Sequence, residues 1–131
     1  MKITVDTNVL VRAVVRDDPK QARIADKALK EATLIAVPLP CLCEFVWVLR
    51  KLYRFDDASI ATAIRALIAT EQVATNRPAV ESGLAILDAG GDFADGIMAY
   101  EGNWLGAETF VSFDKQAVSL LTRRGQAARL L

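Results

Sequence analysis

The sequence predicts an α/β protein with a central, mostly parallel β-sheet of four or five strands. Short runs of β-branched and other apolar residues recur along the chain, which is typical of strands. Segments with apolar residues at helical spacing fill the intervals between these runs. Alternation of strands and helices favours parallel pairing, because each helix returns the chain across the sheet. A chain of 131 residues can bury one core, so residues 1–131 are predicted as a single domain.

Each predicted strand is a short apolar run. The run ends at a residue that interrupts a strand or where the sequence pattern changes. The first run ends at Asp6, the second at Pro38 and the fourth at Asp114. The third run lies between two helical segments, and the fifth closes the sequence. The predicted strands are residues 2–5, 34–37, 71–74, 109–113 and 128–131.

Capping residues, prolines and glycines mark the ends of the predicted helices. Thr7 or Asn8 can cap the first helix, and Asp56 or Asp57 can cap the fourth. Gly90 closes the fifth helix, since glycine readily adopts the backbone conformation that ends a helix. The predicted helices are residues 9–15, 19–31, 40–54, 57–70, 78–90, 92–104 and 115–121.

The composition excludes several kinds of chemistry. The chain contains no histidine, which removes Ser-His-Asp and Cys-His catalysis and nearly every ordinary zinc site. Its two cysteines, Cys41 and Cys43, are predicted to be buried reduced thiols. Sixteen basic residues balance sixteen acidic ones, so a generic basic nucleic-acid coat is not expected. Without a leader or a long apolar span, we expect a cytoplasmic protein with no membrane contact.

Four acids lie in apolar stretches where acids are uncommon. They are Asp6, Glu44, Asp95 and Asp114. A buried carboxylate costs several kcal/mol unless it is paired, protonated or bound to a metal. Two of these acids follow strands, and the other two lie near helix starts that can face the same sheet edge, where ligands of parallel sheets bind. Converging carboxylates without histidine predict a site for Mg²⁺ or Mn²⁺.

Each of these acids also has a structural interpretation. Asp6 and Asp114 can each cap the helix that follows, and the Asp92–Asp95 pair can cap another. For Asp92, capping is the preferred interpretation. Glu44 can form a salt bridge with Arg12 or Arg50, although its apolar helix is predicted to be buried.

The charges are unevenly distributed along the sequence. Residues 88–114 contain six acids and no base, whereas residues 115–131 contain four bases and no acid. The region between Arg12 and Lys30 adds further bases. An acidic pocket with basic margins suits a phosphodiester backbone held over metal ions, although charged helices can also simply face solvent.

Four segments in order along the chain resemble the motifs of PIN-domain ribonucleases. The first is the run Val5-Asp6-Thr7-Asn8-Val9-Leu10. The second joins Pro38-Leu39-Pro40 to Cys43-Glu44-Phe45-Val46-Trp47-Val48-Leu49, in the form found in toxins of the VapC type. The third and fourth are Asp92-Phe93-Ala94-Asp95 and Thr109-Phe110-Val111-Ser112-Phe113-Asp114-Lys115.

The resemblance implies a three-layer PIN fold, metal-dependent endoribonuclease activity, a homodimer and inhibition by a small DNA-binding antitoxin. The catalytic acids it implies are Asp6, Glu44, Asp95 and Asp114. The positions of the polar groups that orient them are Thr7, Asn8, Asp92 and Ser112. In the expected mechanism, Asp6, Asp95 and Asp114 bind Mg²⁺ or Mn²⁺, which activates a water molecule for attack on an RNA phosphodiester.

Other functions are less well matched by the sequence. A haloacid-dehalogenase-like phosphatase needs a second Asp two residues after the first, and this position is Asn8. A receiver domain needs an acidic pair near the end of its first strand, where Asp6 stands alone. The remaining alternative is a non-catalytic α/β interaction domain that retains its carboxylates for structural reasons. Surplus apolar residues at 40–70, including Trp47 and Leu52, are expected to contact a second copy or the antitoxin.

Overall fold

A computed structural model describes all residues, 1–131, and confirms the α/β class. Seven helices and five strands alternate along the chain, and every predicted element is present within about three residues of its predicted ends. In order, they are β1 (Lys2–Thr4), α1 (Thr7–Val15), α2 (Pro19–Glu31), β2 (Leu34–Ala36), α3 (Leu39–Lys51), α4 (Asp57–Ile68), β3 (Val73–Ala74), α5 (Arg77–Asp88), α6 (Phe93–Trp104), β4 (Phe110–Ser112), α7 (Lys115–Arg123) and β5 (Ala128–Leu130). None of the helices is both long and apolar enough to cross a membrane.

The chain forms two compact units, Met1–Asn76 and Arg77–Leu131. All strand pairs are parallel, as predicted, and they form a three-stranded sheet and a two-stranded sheet. The first unit contains the larger sheet, in the order β1-β2-β3, with Ile35 of β2 opposite both Ile3 and Val73. Two helices connect each strand to the next, which is the crossover that parallel strands require.

The core of the first unit is built from apolar residues three or four positions apart on α3 and α4. Leu42, Phe45 and Leu49 of α3 are almost completely buried, as are Ile60 and Ile64 of α4. This spacing places the side chains on one face of each helix, where burial of each stabilises the fold by about 1.5–3 kcal/mol.

The prediction that α3 is buried on all sides is wrong. Glu44 is exposed, and Trp47, one turn further along the helix, is 55% exposed. An apolar sequence shows that a face could be buried, but only the neighbouring elements determine whether anything covers it. The exposed side of α3 therefore carries one large apolar residue, Trp47, between the charged residues Glu44 and Lys51.

The second unit pairs β4 with β5 through the intervening helix α7, with Phe110 opposite Ala128. Helices α5 and α6 approach each other closely at two glycines. A side chain at Gly96 would collide with the Ser82 carbonyl oxygen, and one at Gly83 would lie 2.7 Å from the Phe93 ring. The absence of these side chains allows the start of α6, which carries Asp95, to lie close against α5.

Candidate active site

Asp6 lies directly after β1 and caps helix α1. Its backbone is extended, with φ −82° and ψ 156°, and its Oδ1 accepts a hydrogen bond of 2.6 Å from the Thr7 amide. The predicted alternatives, Thr7 and Asn8, are not the cap, because Thr7 is already helical and its side chain is buried. Asp6 itself is exposed, so its predicted burial is wrong. The capping bond uses one carboxylate oxygen, and the second oxygen can bind another partner.

Thr7 links Asp6 to helix α3. It is the one buried polar residue of the chain, and its hydroxyl forms a hydrogen bond with the thiol of Cys41. Burial raises the pKa of that thiol, the Thr7 hydrogen bond opposes the change, and the charges of Asp6 and Glu44 raise the pKa further. Asp6 and Glu44 therefore both act on the same thiol, at the start of α3. Neither cysteine forms a disulfide, so both are reduced thiols as predicted, although Cys43 is only half-buried.

Glu44 has neither of its predicted salt bridges. Arg12 pairs with Asp17 at 3.0 Å, and Arg50 pairs with Asp57 at 2.8 Å. Its exposed carboxylate pays no burial cost, so the argument that Glu44 must have a partner fails.

Asn8 lies on the exposed side of α1, beside a cavity of about 330 Å³ between α1 and α2. The other residues lining this cavity include Arg12, Gln21 and Ile24. Arg12 closes one side through hydrogen bonds to Gln21 at 2.7 Å and to the Tyr53 hydroxyl at 3.1 Å. Sequence reasoning missed this polar network, because residues 41 positions apart carry no local signal of contact.

The second unit contains three acids at or next to helix starts. Asp92 caps α6, accepting a hydrogen bond of 3.1 Å from the Ala94 amide, which confirms the preferred interpretation. Asp114 follows β4 and caps α7, with Oδ1 accepting from the Gln116 and Ala117 amides at 2.9 and 3.1 Å. Both Asp92 and Asp114 are exposed, so the predicted burial of Asp114 is also wrong.

Asp95, in the first turn of α6, is the acid whose properties are most changed by the fold. Burial, followed by the charges of Asp92 and Asp114, raises its pKa to about 6. The carboxylates of Asp92 and Asp114 are therefore each close enough to repel the charge of Asp95. Asp95 is half-buried. Of the four acids that the sequence predicts to be buried, it is the one for which burial is confirmed.

The donor chemistry of this unit fits a divalent cation. Carboxylate oxygens are the ligands that Mg²⁺ and Mn²⁺ prefer, and a cation would offset the charges of Asp92 and Asp114, which add to burial in raising the pKa of Asp95. Within neither unit do three or more acid, cysteine or histidine side chains already form a group that could hold a metal ion. The acids of each unit are thus neighbours rather than an assembled cage.

Ser112 and Phe113 complete the end of β4. The Ser112 hydroxyl accepts a hydrogen bond of 2.9 Å from the Asp114 amide, which gives this predicted residue a direct effect on the acid beside it. Phe113 is 81% exposed, and sequence reasoning assigned it no role. The sequence feature that could have identified Phe113 is its place as an aromatic residue between the end of a strand and an acid.

Comparison with known families gives one result that covers most of the chain. The family model described as PIN domain matches residues 3–117, a span that includes Asp6, Glu44, Asp95 and Asp114. No curated protein matches the chain. PIN domains are in general metal-dependent nucleases, and the observed helices and parallel strands are consistent with their fold. The chain belongs to the PIN domain family.

Proposed function

We propose that this PIN domain is an endoribonuclease that acts as the toxin of a toxin–antitoxin pair. The observation that carries the proposal is the raised pKa of Asp95, half-buried beside the charges of Asp92 and Asp114. Strongly shifted carboxylates are common in active sites, where they are kept at the expense of stability. Because the family match spans both compact units, we further propose that residues 1–131 act as one domain.

In this proposal, Asp6, Asp95 and Asp114 hold Mg²⁺ or Mn²⁺, and Glu44 either binds the ion or positions water beside it. A bound divalent ion would lower the pKa of a water molecule and neutralise charge that develops on the phosphate. Helix capping does not compete with this role. Asp6 and Asp114 each use Oδ1 for capping, which leaves Oδ2 for a metal.

The remaining polar residues orient these acids. Ser112 holds the backbone at Asp114, and Thr7 attaches the start of α1 to Cys41. The charge of Asp92 adds to the effect of burial in raising the pKa of Asp95. Asn8, on the exposed side of α1 two residues after Asp6, is proposed to contact substrate or water near that carboxylate.

Cleavage of a labelled RNA tests the activity. The wild-type protein should cleave in Mg²⁺ or Mn²⁺ and lose activity in EDTA, and Asp95→Asn should be inactive while remaining folded. Glu101→Gln is the matched control, because Glu101 is an exposed acid on the same helix. Unchanged activity in EDTA would contradict metal dependence, and equal loss in both variants would contradict the assignment of Asp95.

A non-catalytic interaction domain is the second candidate function. It is favoured by one observation, that Asp6, Asp92 and Asp114 all cap helices and so have structural roles. The two functions predict different RNA cleavage by the wild type and by Asp114→Asn. Both predict that the variant keeps its stability, because asparagine is also a good cap. If the protein is a nuclease, the wild type cleaves RNA and the variant does not; if it is an interaction domain, neither protein cleaves RNA.

We propose a homodimer and a small DNA-binding antitoxin as partners of a cytoplasmic protein. The support is the uncovered apolar surface of the first unit, where Trp47 is 55% and Leu52 is 64% exposed. Such surface is commonly covered by a second copy or a partner helix. Light scattering of wild type and of Trp47→Glu measures the dimer, and a monomeric wild type at micromolar concentration would contradict it.

A further inference from the structure

We propose that Phe113 stacks on an unpaired base of a single-stranded RNA substrate and so places the adjoining phosphate beside Asp114. This inference rests on the proposed nuclease function. It specifies single-stranded RNA as the form of nucleic acid that the proposed active site accepts. It is carried by the exposure of the ring, by its rigid attachment and by the charges next to it.

The exposed ring is the first observation. Phe113 is 81% exposed, whereas Phe45 and Phe93 are completely buried within the core. An exposed phenylalanine gains no burial free energy, so its presence does not help the fold. An aromatic face in solvent is suited to base stacking, which requires no particular base because every base has a π-face.

The second observation is the rigid backbone on both sides of the ring. On the strand side, the Leu131 amide donates to the Ser112 carbonyl at 2.9 Å, and the Ser112 hydroxyl accepts from the Asp114 amide. On the helix side, Asp114 accepts from the Gln116 and Ala117 amides. The bend that carries Phe113 is therefore held before binding, and ordering the ring against a base costs little conformational entropy.

The third observation is the charge pattern at the bend. Asp114, proposed to act in catalysis, directly follows Phe113, and the exposed Lys115 comes next. Adjacent Cα atoms are about 3.8 Å apart, so a strand whose phosphate lies at Asp114 has its nearest bases within reach of the ring. The Lys115 ammonium can neutralise a neighbouring phosphate. Along the chain the ring lies between Ser112 and the charged residues Asp114 and Lys115, groups that can contact the sugar and phosphates of a nucleotide.

Binding of a fluorescein-labelled oligouridine, measured by anisotropy in Mg²⁺, tests the stacking. All proteins carry Asp95→Asn, so that the RNA remains intact. Phe113→Ala should weaken binding by roughly 5- to 150-fold, the equivalent of about 1–3 kcal/mol per stacked base. Phe113→Trp should bind at least as tightly as the parent. Binding of an RNA duplex should not change, because its bases already stack on each other.

Trp104→Ala is the matched control. Trp104 is 77% exposed and belongs to the same unit, but it lies nine residues after Asp95 on α6, or about 13 Å along the helix. Its removal should leave the Kd for RNA unchanged. Equal weakening by Phe113→Ala and Trp104→Ala would overturn the proposal, since it would show a general effect of surface aromatics.

A protein partner on this surface gives a different result. Val111, two residues earlier in β4, is also exposed. If Val111→Ala and Phe113→Ala both reduce the mass measured by light scattering while RNA binding is retained, the surface binds protein and the stacking is overturned. Because Phe113 is exposed, its variants should melt at the parental temperature, and Phe113→Trp provides a test that retains the ring.

Cleavage by proteins without the Asp95 substitution separates this inference from the proposed function. Phe113→Ala should raise KM and leave kcat nearly unchanged, since stacking holds substrate and transition state alike. If the wild-type protein cleaves RNA and Phe113→Ala has the same KM, only the stacking is wrong. If the wild-type protein neither binds nor cleaves RNA, both the proposed function and the stacking are wrong.

Discussion

Neutralising Asp95 should stabilise the metal-free protein while it abolishes activity. Its pKa is raised from 3.8 to about 6 by burial and by the charges of Asp92 and Asp114. The folded state therefore binds the Asp95 proton more tightly than the unfolded state does. Above pH 6 Asp95 of the folded protein is a carboxylate, and its charge is less favourable there than in the unfolded chain. The stability that the bound proton contributes at low pH is therefore lost.

The magnitude follows from the size of the shift. A change of about two pKa units corresponds to about 3 kcal/mol if it is expressed in full. Asp95 is only half-buried, and solvent screening reduces this to about 1–1.5 kcal/mol. Asparagine loses the favourable interaction of a first-turn carboxylate with the helix dipole, which is worth about 0.3–1 kcal/mol. The net gain expected from Asp95→Asn is about 0.6 kcal/mol, within a range of about 0 to 1.2 kcal/mol, or up to a few degrees in Tm.

Thermal melting in EDTA as a function of pH measures this gain. The stability of the wild type should fall as pH rises from about 4 to about 6, relative to Asp95→Asn, and the difference should stay constant at higher pH. Near pH 3.5 the advantage of the variant should largely disappear, because Asp95 is then mostly protonated in both states. Glu101→Gln, on the exposed part of α6, should show no such dependence.

One outcome would refute the reasoning. If Asp95→Asn melts below the wild type at pH 8 and the difference is the same at pH 3.5, the charge of Asp95 does not destabilise the fold. Burial and the charges of Asp92 and Asp114 would then not act on Asp95 as its raised pKa implies, and the metal site proposed there would lose its support.

Three further predictions concern the same unit. In Mg²⁺ at about ten times Kd, the wild type should gain about 1.4 kcal/mol and Asp95→Asn should gain less, whereas equal shifts in melting would contradict binding at this residue. Gly96→Ala should lower stability by about 1–3 kcal/mol in chemical denaturation, because the added methyl collides with the Ser82 carbonyl; an unchanged midpoint would contradict the close approach of α5 and α6. Asp114→Ala should lower stability by about 1 kcal/mol through loss of the α7 cap while Asp114→Asn does not, and equal melting of the two variants would contradict the capping role.

The sequence by itself determined the order of elements, the α/β class and the chemistry available to the site. The elements depend on interactions between residues close in the chain. The helix caps at Asp56, Asp92 and Asp114 are of this kind, because a side chain that hydrogen-bonds an amide two or three residues away needs no distant partner. The absence of histidine restricts the chemistry through composition alone, whatever the fold.

Only the tertiary structure decided which of these residues are buried and what they contact. Asp95 and Glu44 both lie in apolar sequence, yet Asp95 is half-buried and Glu44 is exposed. The hydrogen bond of Arg12 with Tyr53 depends on groups distant in the chain, and so do the burial of Asp95 and the effect of Asp114 on its pKa. The physical reason is that an apolar pattern records which faces are able to pack, whereas burial and electrostatic coupling depend on which elements the fold brings against them.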